Sequence, residues 1–358
     1  MTHKNNVEHL SVAMTTETVD DFTQTTSTSV MTSSSSRGIE FYFQCAVIVI
    51  GVVGTAANAL ILYAMVASKQ HKKHILIYNQ NILDLFSCIF LVITYAVMLY
   101  NFYLTGLMGY WLCMLILNEN LIWCVITASK ANLVFVTIER YLKVVHSAWS
   151  KKKLRNWMIY SAMAFAWISG FIHVNALVFP TSAVVDGVCY LAMAWESQVA
   201  HMIYTIFSFL FYSVFFLIIF VFCYWRILIV IRRQAQVMAG HGTAGPSTSQ
   251  ARSHHIQSNV VKTMILVSVF YVITDLPLKL YMLLANIQGN LTILVGGYYS
   301  TLFVTFFYFC ANPFIYAAKF DPVRRILLRP IPCRKTTMQP IESIDITPST
   351  NRIAQTRN

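Results

Sequence analysis

Three charged side chains stand inside long apolar runs of this chain. Asp84 lies in NILDLF, Lys130 in ITASKANLVF and Asp275 in YVITDLPL. Two carboxylates and one ammonium in such surroundings allow three kinds of chemistry. They can pair with one another, line a path for ions or protons, or put two carboxylates on one peptide bond in an aspartyl mechanism. Two further motifs close apolar runs: Glu139-Arg140-Tyr141, and Asn312-Pro313-Phe314-Ile315-Tyr316. The protease reading is weakened because no Gly-x-Gly-Asp motif is present and Lys130 would hold one carboxylate ionised. The alternative of a membrane transporter or channel rests on Asp84, Lys130 and Asp275 alone, since the sequence has none of the internal repeats common in transporters.

The elements that carry these residues follow from composition. Of 358 residues, 57% are apolar and 11% charged, against about 25% charged in an ordinary soluble domain. Seven stretches reach the ~20 apolar residues that cross a bilayer, at about 41–66, 75–100, 111–142, 154–179, 200–232, 259–285 and 294–318. They do not alternate as barrel strands would. The expected fold class is all-α, a seven-transmembrane helix bundle over 41–318. At ~1.5 Å per residue, Asp84 lies ~14 Å from Ile75, Lys130 ~15 Å from Arg140 and Asp275 ~20 Å from Lys262. All three therefore fall near the middle of a ~30 Å core.

Formal net charge is +12. Of the 26 Lys and Arg residues, 21 sit in or beside alternate connections and the C-terminal tail, among them Lys72, Lys152, Arg232 and Arg325. The connections 101–110, 180–199 and 286–293 have none. The positive-inside rule then places the N-terminus outside and the C-terminus in the cytosol. Topology and anionic lipid account for the basic excess, and no nucleic acid partner is needed. Residues 1–40, rich in Ser and Thr, are expected to be a disordered extracellular tail. They have no apolar run, so the first span is expected to act as the targeting signal. Residues 336–358 are expected to be a flexible cytosolic tail. Asn290 heads an N-glycosylation sequon on the outer side, and Cys333, in a basic context, is a candidate for palmitoylation. Cys45, Cys88, Cys124, Cys223 and Cys310 read as packing residues within spans. Cys113 and Cys189 both face the oxidising side, where a bond between them would pin the loop before the fifth span. No zinc spacing or other cofactor motif is present.

Taken together, Glu139-Arg140-Tyr141 in the third span, Asn312-Pro313-Phe314-Ile315-Tyr316 in the seventh and Asp84 in the second resemble the rhodopsin-like (class A) G-protein-coupled receptors, over about 41–335. Asn58, Trp167, Tyr224 and Pro277 match further positions. Cys113 and Cys189 match the family's disulfide, and residues 320–328 resemble its amphipathic juxtamembrane helix, here expected over 319–335. The resemblance implies a receptor and not an enzyme. An extracellular ligand would shift a helix equilibrium and open the inner half to a heterotrimeric G protein, with arrestin and a receptor kinase as further partners. Arg140 would be released from Glu139, Tyr224 and Tyr316 would hold the open state, and Pro277 and Pro313 would supply kinks. The stretch IERYLKVVH is similar to peptide receptors of the galanin, allatostatin and somatostatin group.

Departures from the family pattern narrow the ligand. The aminergic Asp position is Ile122 and the retinal Lys position is Phe306, so a peptide is favoured over a small molecule. The fifth span has Phe216 where the family has proline. The sixth has Asp275 in place of the switch tryptophan, which leaves ligand dependence open. Cys113 precedes Arg140 by 27 residues, two more than usual. Lys130 is expected to pair with Asp275, Asp84 or both, with Asp275 favoured. The family's sodium position at Asp84, Ser129 and Asn312 would then be taken by the Lys130 ammonium. Candidate pocket residues are Glu119, Trp123, His201, Tyr204, Ser208, Lys279 and Tyr281. Lys279 serves either as counter-ion to an acidic ligand group or as partner to Glu119.

Overall fold

Apolar length dictates the architecture. In the computed structural model, which describes residues 19–100, 103–190, 198–240, 248–288, 295–319, 323, 324 and 326, seven helices are long and apolar enough to cross a membrane. Span one is α1 (Val19–Ala67) and span two is α2 (Ile75–Met98). Span three joins α3 (Gly106–Leu112), a π-helical turn (Cys113–Leu117) and α4 (Asn120–Val145). The short α5 (Ser147–Lys153) leads to span four, α6 (Asn156–Thr181). A hairpin of β1 (Ala183–Val185) and β2 (Val188–Tyr190) precedes span five, which is α7 (Gln198–Phe209), a π-helical segment (Leu210–Phe215) and α8 (Phe216–Gly240). Spans six and seven are α9 (Thr248–Gln288) and α10 (Val295–Lys319).

Span three is the axis of the bundle: 78% of its apolar window is buried, against 22% in span four. It carries Lys130, Glu139 and Arg140 past the other helices. Span four lies close against it at Gly170, where a Cβ would stand 2.5 Å from the Cys124 carbonyl oxygen and 2.7 Å from the Ala128 nitrogen. Span seven is tied to span one through a proline. Pro313 has no N–H to give the carbonyl four residues back, and Asn58 Nδ2 donates to that Phe309 oxygen at 3.2 Å. Beside Pro277, which sits inside α9, Thr305 Oγ1 of span seven donates to the Thr274 carbonyl at 3.1 Å.

Two irregularities explain departures seen in the sequence. The two extra residues between Cys113 and Arg140 are absorbed above α4. The Asn118 N–H reaches back five residues to Cys113 O at 3.1 Å, and Glu119 takes a left-handed conformation with φ 54°. Span five, lacking its proline, instead widens at Leu210–Phe215, just before Phe216. π-Helical turns of this kind often mark functional sites.

One expectation is corrected. Residues 19–40, read as part of a disordered tail, continue helix α1. No proline and no glycine before Gly38 interrupts them, and extending an existing helix costs far less than nucleating one. The juxtamembrane helix expected over 319–335 falls largely outside the described residues. Of it, Val323 is buried in the main core and Ile326 packs against that core. Asn290, Cys333 and 336–358 lie outside the described residues.

Candidate functional site

Span three carries a polar site at each end and a third near its middle. At the disulfide end, Cys113 and Cys189 are bonded, with Cα atoms 5.4 Å apart. The hairpin that presents Cys189 turns at Asp186 and Gly187, both at positive φ, the two-residue geometry that an Asp-Gly pair favours. Val184 pairs with Cys189 across it.

At the same end lies a pocket of about 1290 Å³, its open mouth included. Glu119, Trp123, His201, Tyr204, Ser208 and Lys279 all line it. The Tyr281 side chain does not. It stands two residues, roughly 200° of helix, beyond Lys279, and its ring packs on Tyr298 at 6.0 Å. Glu119 is held at both oxygens: the Tyr95 hydroxyl donates to Oε1 at 2.5 Å and Trp123 Nε1 to Oε2 at 2.9 Å. Those two bonds over-determine a backbone conformation that costs a non-glycine residue about 1–2 kcal/mol. The Lys279 ammonium lies 5.6 Å from the Trp123 ring centroid and forms no ion pair with Glu119. His173 also lines the pocket. Its Nε2 is 3.3 Å from both the Tyr204 hydroxyl and Ser208 Oγ.

Near mid-span, the charges expected to form one network form two. Lys130 Nζ is 2.6 Å from Asp275 Oδ1, and the Tyr271 hydroxyl donates to Oδ2 at 3.2 Å. Lys130 and Asp275 are 2% and 4% exposed. Asp84 takes no part in this pair. Asn312 Nδ2 donates to its Oδ2 at 2.9 Å, Ser129 Oγ to Oδ1 at 3.1 Å and Gln80 Nε2 to Oδ1 at 3.2 Å. The expected replacement of a sodium ion by Lys130 is therefore corrected. Gln80, one turn before Asp84, supplies the donor. Its amide is oriented because Asn132 Nδ2 donates to its Oε1 at 2.8 Å, which turns the NH₂ toward Asp84 and Ser129. Three uncharged donors thus meet Asp84 where the Lys130 ammonium was expected. The chain of amides continues from Asn132 to Asn79 (2.9 Å) and to the Trp167 indole (3.3 Å). Asp84 and Asp275 share no partner, so they do not form a carboxylate dyad.

At the far end, Arg140 is 6% exposed. Its Nη2 is 3.3 Å from Glu139 Oε2 and 2.9 Å from His74 Nδ1. Glu139 Oε1 is held by Lys143 at 2.5 Å. Burial, reinforced by the Arg140 charge, lowers the His74 pKa to about 3, so the ring is neutral and accepts from the guanidinium. The Tyr224 hydroxyl joins three spans, 2.9 Å from Thr137 Oγ1, 2.8 Å from Ser268 Oγ and 3.3 Å from Met264 O. Tyr141 meets His146 Nε2 at 3.2 Å. Tyr316 is buried beside Pro313 in span seven.

The sequence reading missed His74, Gln80, Asn79 and Asn132. The i, i+4 spacing of Gln80 and Asp84 on one helix was the available signal.

Residues 57–316 match the family described as 7 transmembrane receptor (rhodopsin family). The match covers more than half of the chain, and the chain belongs to that family of membrane-embedded signalling receptors, which couple to heterotrimeric G proteins and are generally not enzymes. No curated protein matches the chain.

Proposed function

We propose that the chain is a plasma-membrane receptor that carries ligand occupancy at the disulfide end to a heterotrimeric G protein at the Arg140 end. The alternation of basic connections supports an outward disulfide end and a cytosolic Arg140 end. The observation that carries the reading is the layout of span three. One buried helix joins a pocket at Glu119 and Trp123, an ion pair at Lys130 and a caged guanidinium at Arg140.

In the present conformation Arg140 is covered by His74 and Glu139, and Tyr224 holds spans three, five and six together. Coupling requires spans five and six to move away so that Arg140 reaches the transducer. Lys130–Asp275 bridges spans three and six at the level of that movement, where the family has its switch tryptophan. Arrestin and a receptor kinase are the further expected partners. A peptide is the favoured ligand, since the pocket has neither an aminergic aspartate at Ile122 nor a retinal lysine at Phe306.

The test is a cell-based G-protein recruitment screen over peptide libraries, with Arg140→Ala as control. Recruitment by the wild type and none by the control is expected. Equal signals from the two, or tags on the two termini found on one side of the membrane, would rule the reading out.

A further inference from the structure

The charges lining the pocket are unequally satisfied, and we propose that the pocket takes a ligand bearing a carboxylate, with that group against Lys279. The inference rests on the receptor reading and names the chemistry of its ligand. Glu119 already accepts a hydrogen bond on each oxygen, from Tyr95 and from Trp123, so its charge is met within the protein. Lys279 has three N–H donors and, among the described residues, no acceptor at hydrogen-bond distance. Its contact is the face of Trp123 at 5.6 Å. Asp275 lies one turn away on the same helix, but its oxygens are engaged by Lys130 and Tyr271.

Lys279 is half-buried in the pocket wall, and a cation–π contact of about 0.5–2 kcal/mol leaves its donors without a protein acceptor. A ligand carboxylate would supply the acceptors. A phosphate is a poorer fit, because the lining contains no arginine and no second lysine to meet its second charge. The rest of the ligand would lie along Val174, Leu177, Val178, Phe209, Leu278 and Met282, the apolar wall of the same pocket.

The test is thermal unfolding of the purified full chain in nanodiscs with millimolar probes of matched size. The probes are acetyl-Leu-Phe with a free C-terminal carboxylate, its C-terminal amide, acetyl-Leu-Asp-amide, 3-phenylpropionate and 3-phenylpropylamine. Acids should raise the melting temperature of the wild type, and the amide and amine should not. Lys279→Met should bind the acids about tenfold or more weakly, the size of one charge-assisted hydrogen bond. Lys279→Arg should keep part of the effect. The acids ranked among themselves tell a peptide terminus from an acidic side chain or a non-peptide acid. The proposal is overturned if the amide or amine matches the acids, if Lys279→Met responds like the wild type, or if no acid shifts the wild type. G-protein recruitment is read separately. Recruitment by none of the acids that do bind counts against the receptor reading and leaves the binding result standing.

Discussion

Arg140 Nη2 donates to His74 Nδ1 across 2.9 Å, joining the third span to the residue that precedes the second. The bond needs a lone pair on Nδ1, which a doubly protonated ring does not have. The guanidinium and the ring therefore stay together only while His74 is neutral.

A pH dependence follows from this bond. The His74 pKa is about 3 in the folded chain against 6.5 ordinarily. Between those values the unfolded chain binds a proton that the folded chain does not, so stability is full above pH 6.5 and falls as pH drops. By pH 5 the loss should reach about 1–2 kcal/mol. Melting temperatures of the wild type and His74→Gln, taken from pH 7.5 to pH 5, should diverge, with the wild type falling more steeply. Parallel curves would show that His74 does not stay neutral in the fold.

The Lys130–Asp275 pair should behave as a buried unit. Lys130→Met leaves a carboxylate in the core and should cost about 3–5 kcal/mol, seen as poor surface expression and a lower melting temperature. Lys130→Met with Asp275→Leu should recover a large part of it. A double variant no better than the single would argue that each charge is stabilised independently.

Asp84 should be insensitive to sodium. Its carboxylate already accepts from Gln80, Ser129 and Asn312. Exchanging sodium for N-methylglucamine at constant ionic strength should leave the melting temperature of the wild type unchanged. In Gln80→Ala, with the amide gone, a sodium-dependent rise should appear. A clear sodium response in the wild type would contradict the geometry.

Asn58 and Pro313 should be coupled. Asn58→Leu strands the Phe309 carbonyl and should cost about 1–3 kcal/mol. In a Pro313→Ala background the helix regains the N–H that serves that carbonyl, so Asn58→Leu should cost less. A double-mutant cycle of melting temperatures measures the difference, and additive costs would disprove the link.

The seven spans were legible because lipid demands long apolar runs, and Lys130 with Asp275 because a charge in such a run needs a partner. The amides of Gln80, Asn79 and Asn132 were not, since an uncharged polar residue in a helix raises no comparable alarm. His74 looked like any histidine in a basic connection. Residues 19–40 read as coil from composition, which does not register that a helix begun in the first span can run on through serines and threonines. The 27-residue interval from Cys113 to Arg140 announced an irregularity without telling its form.

That irregularity has a consequence for how such a protein can change over time. The wide turn at Cys113–Leu117 and the left-handed Glu119 take up the surplus length before α4 begins. A residue added or lost between Cys113 and Glu119 would meet this turn first, before it could rotate the face of α4 that bears Lys130 and Arg140.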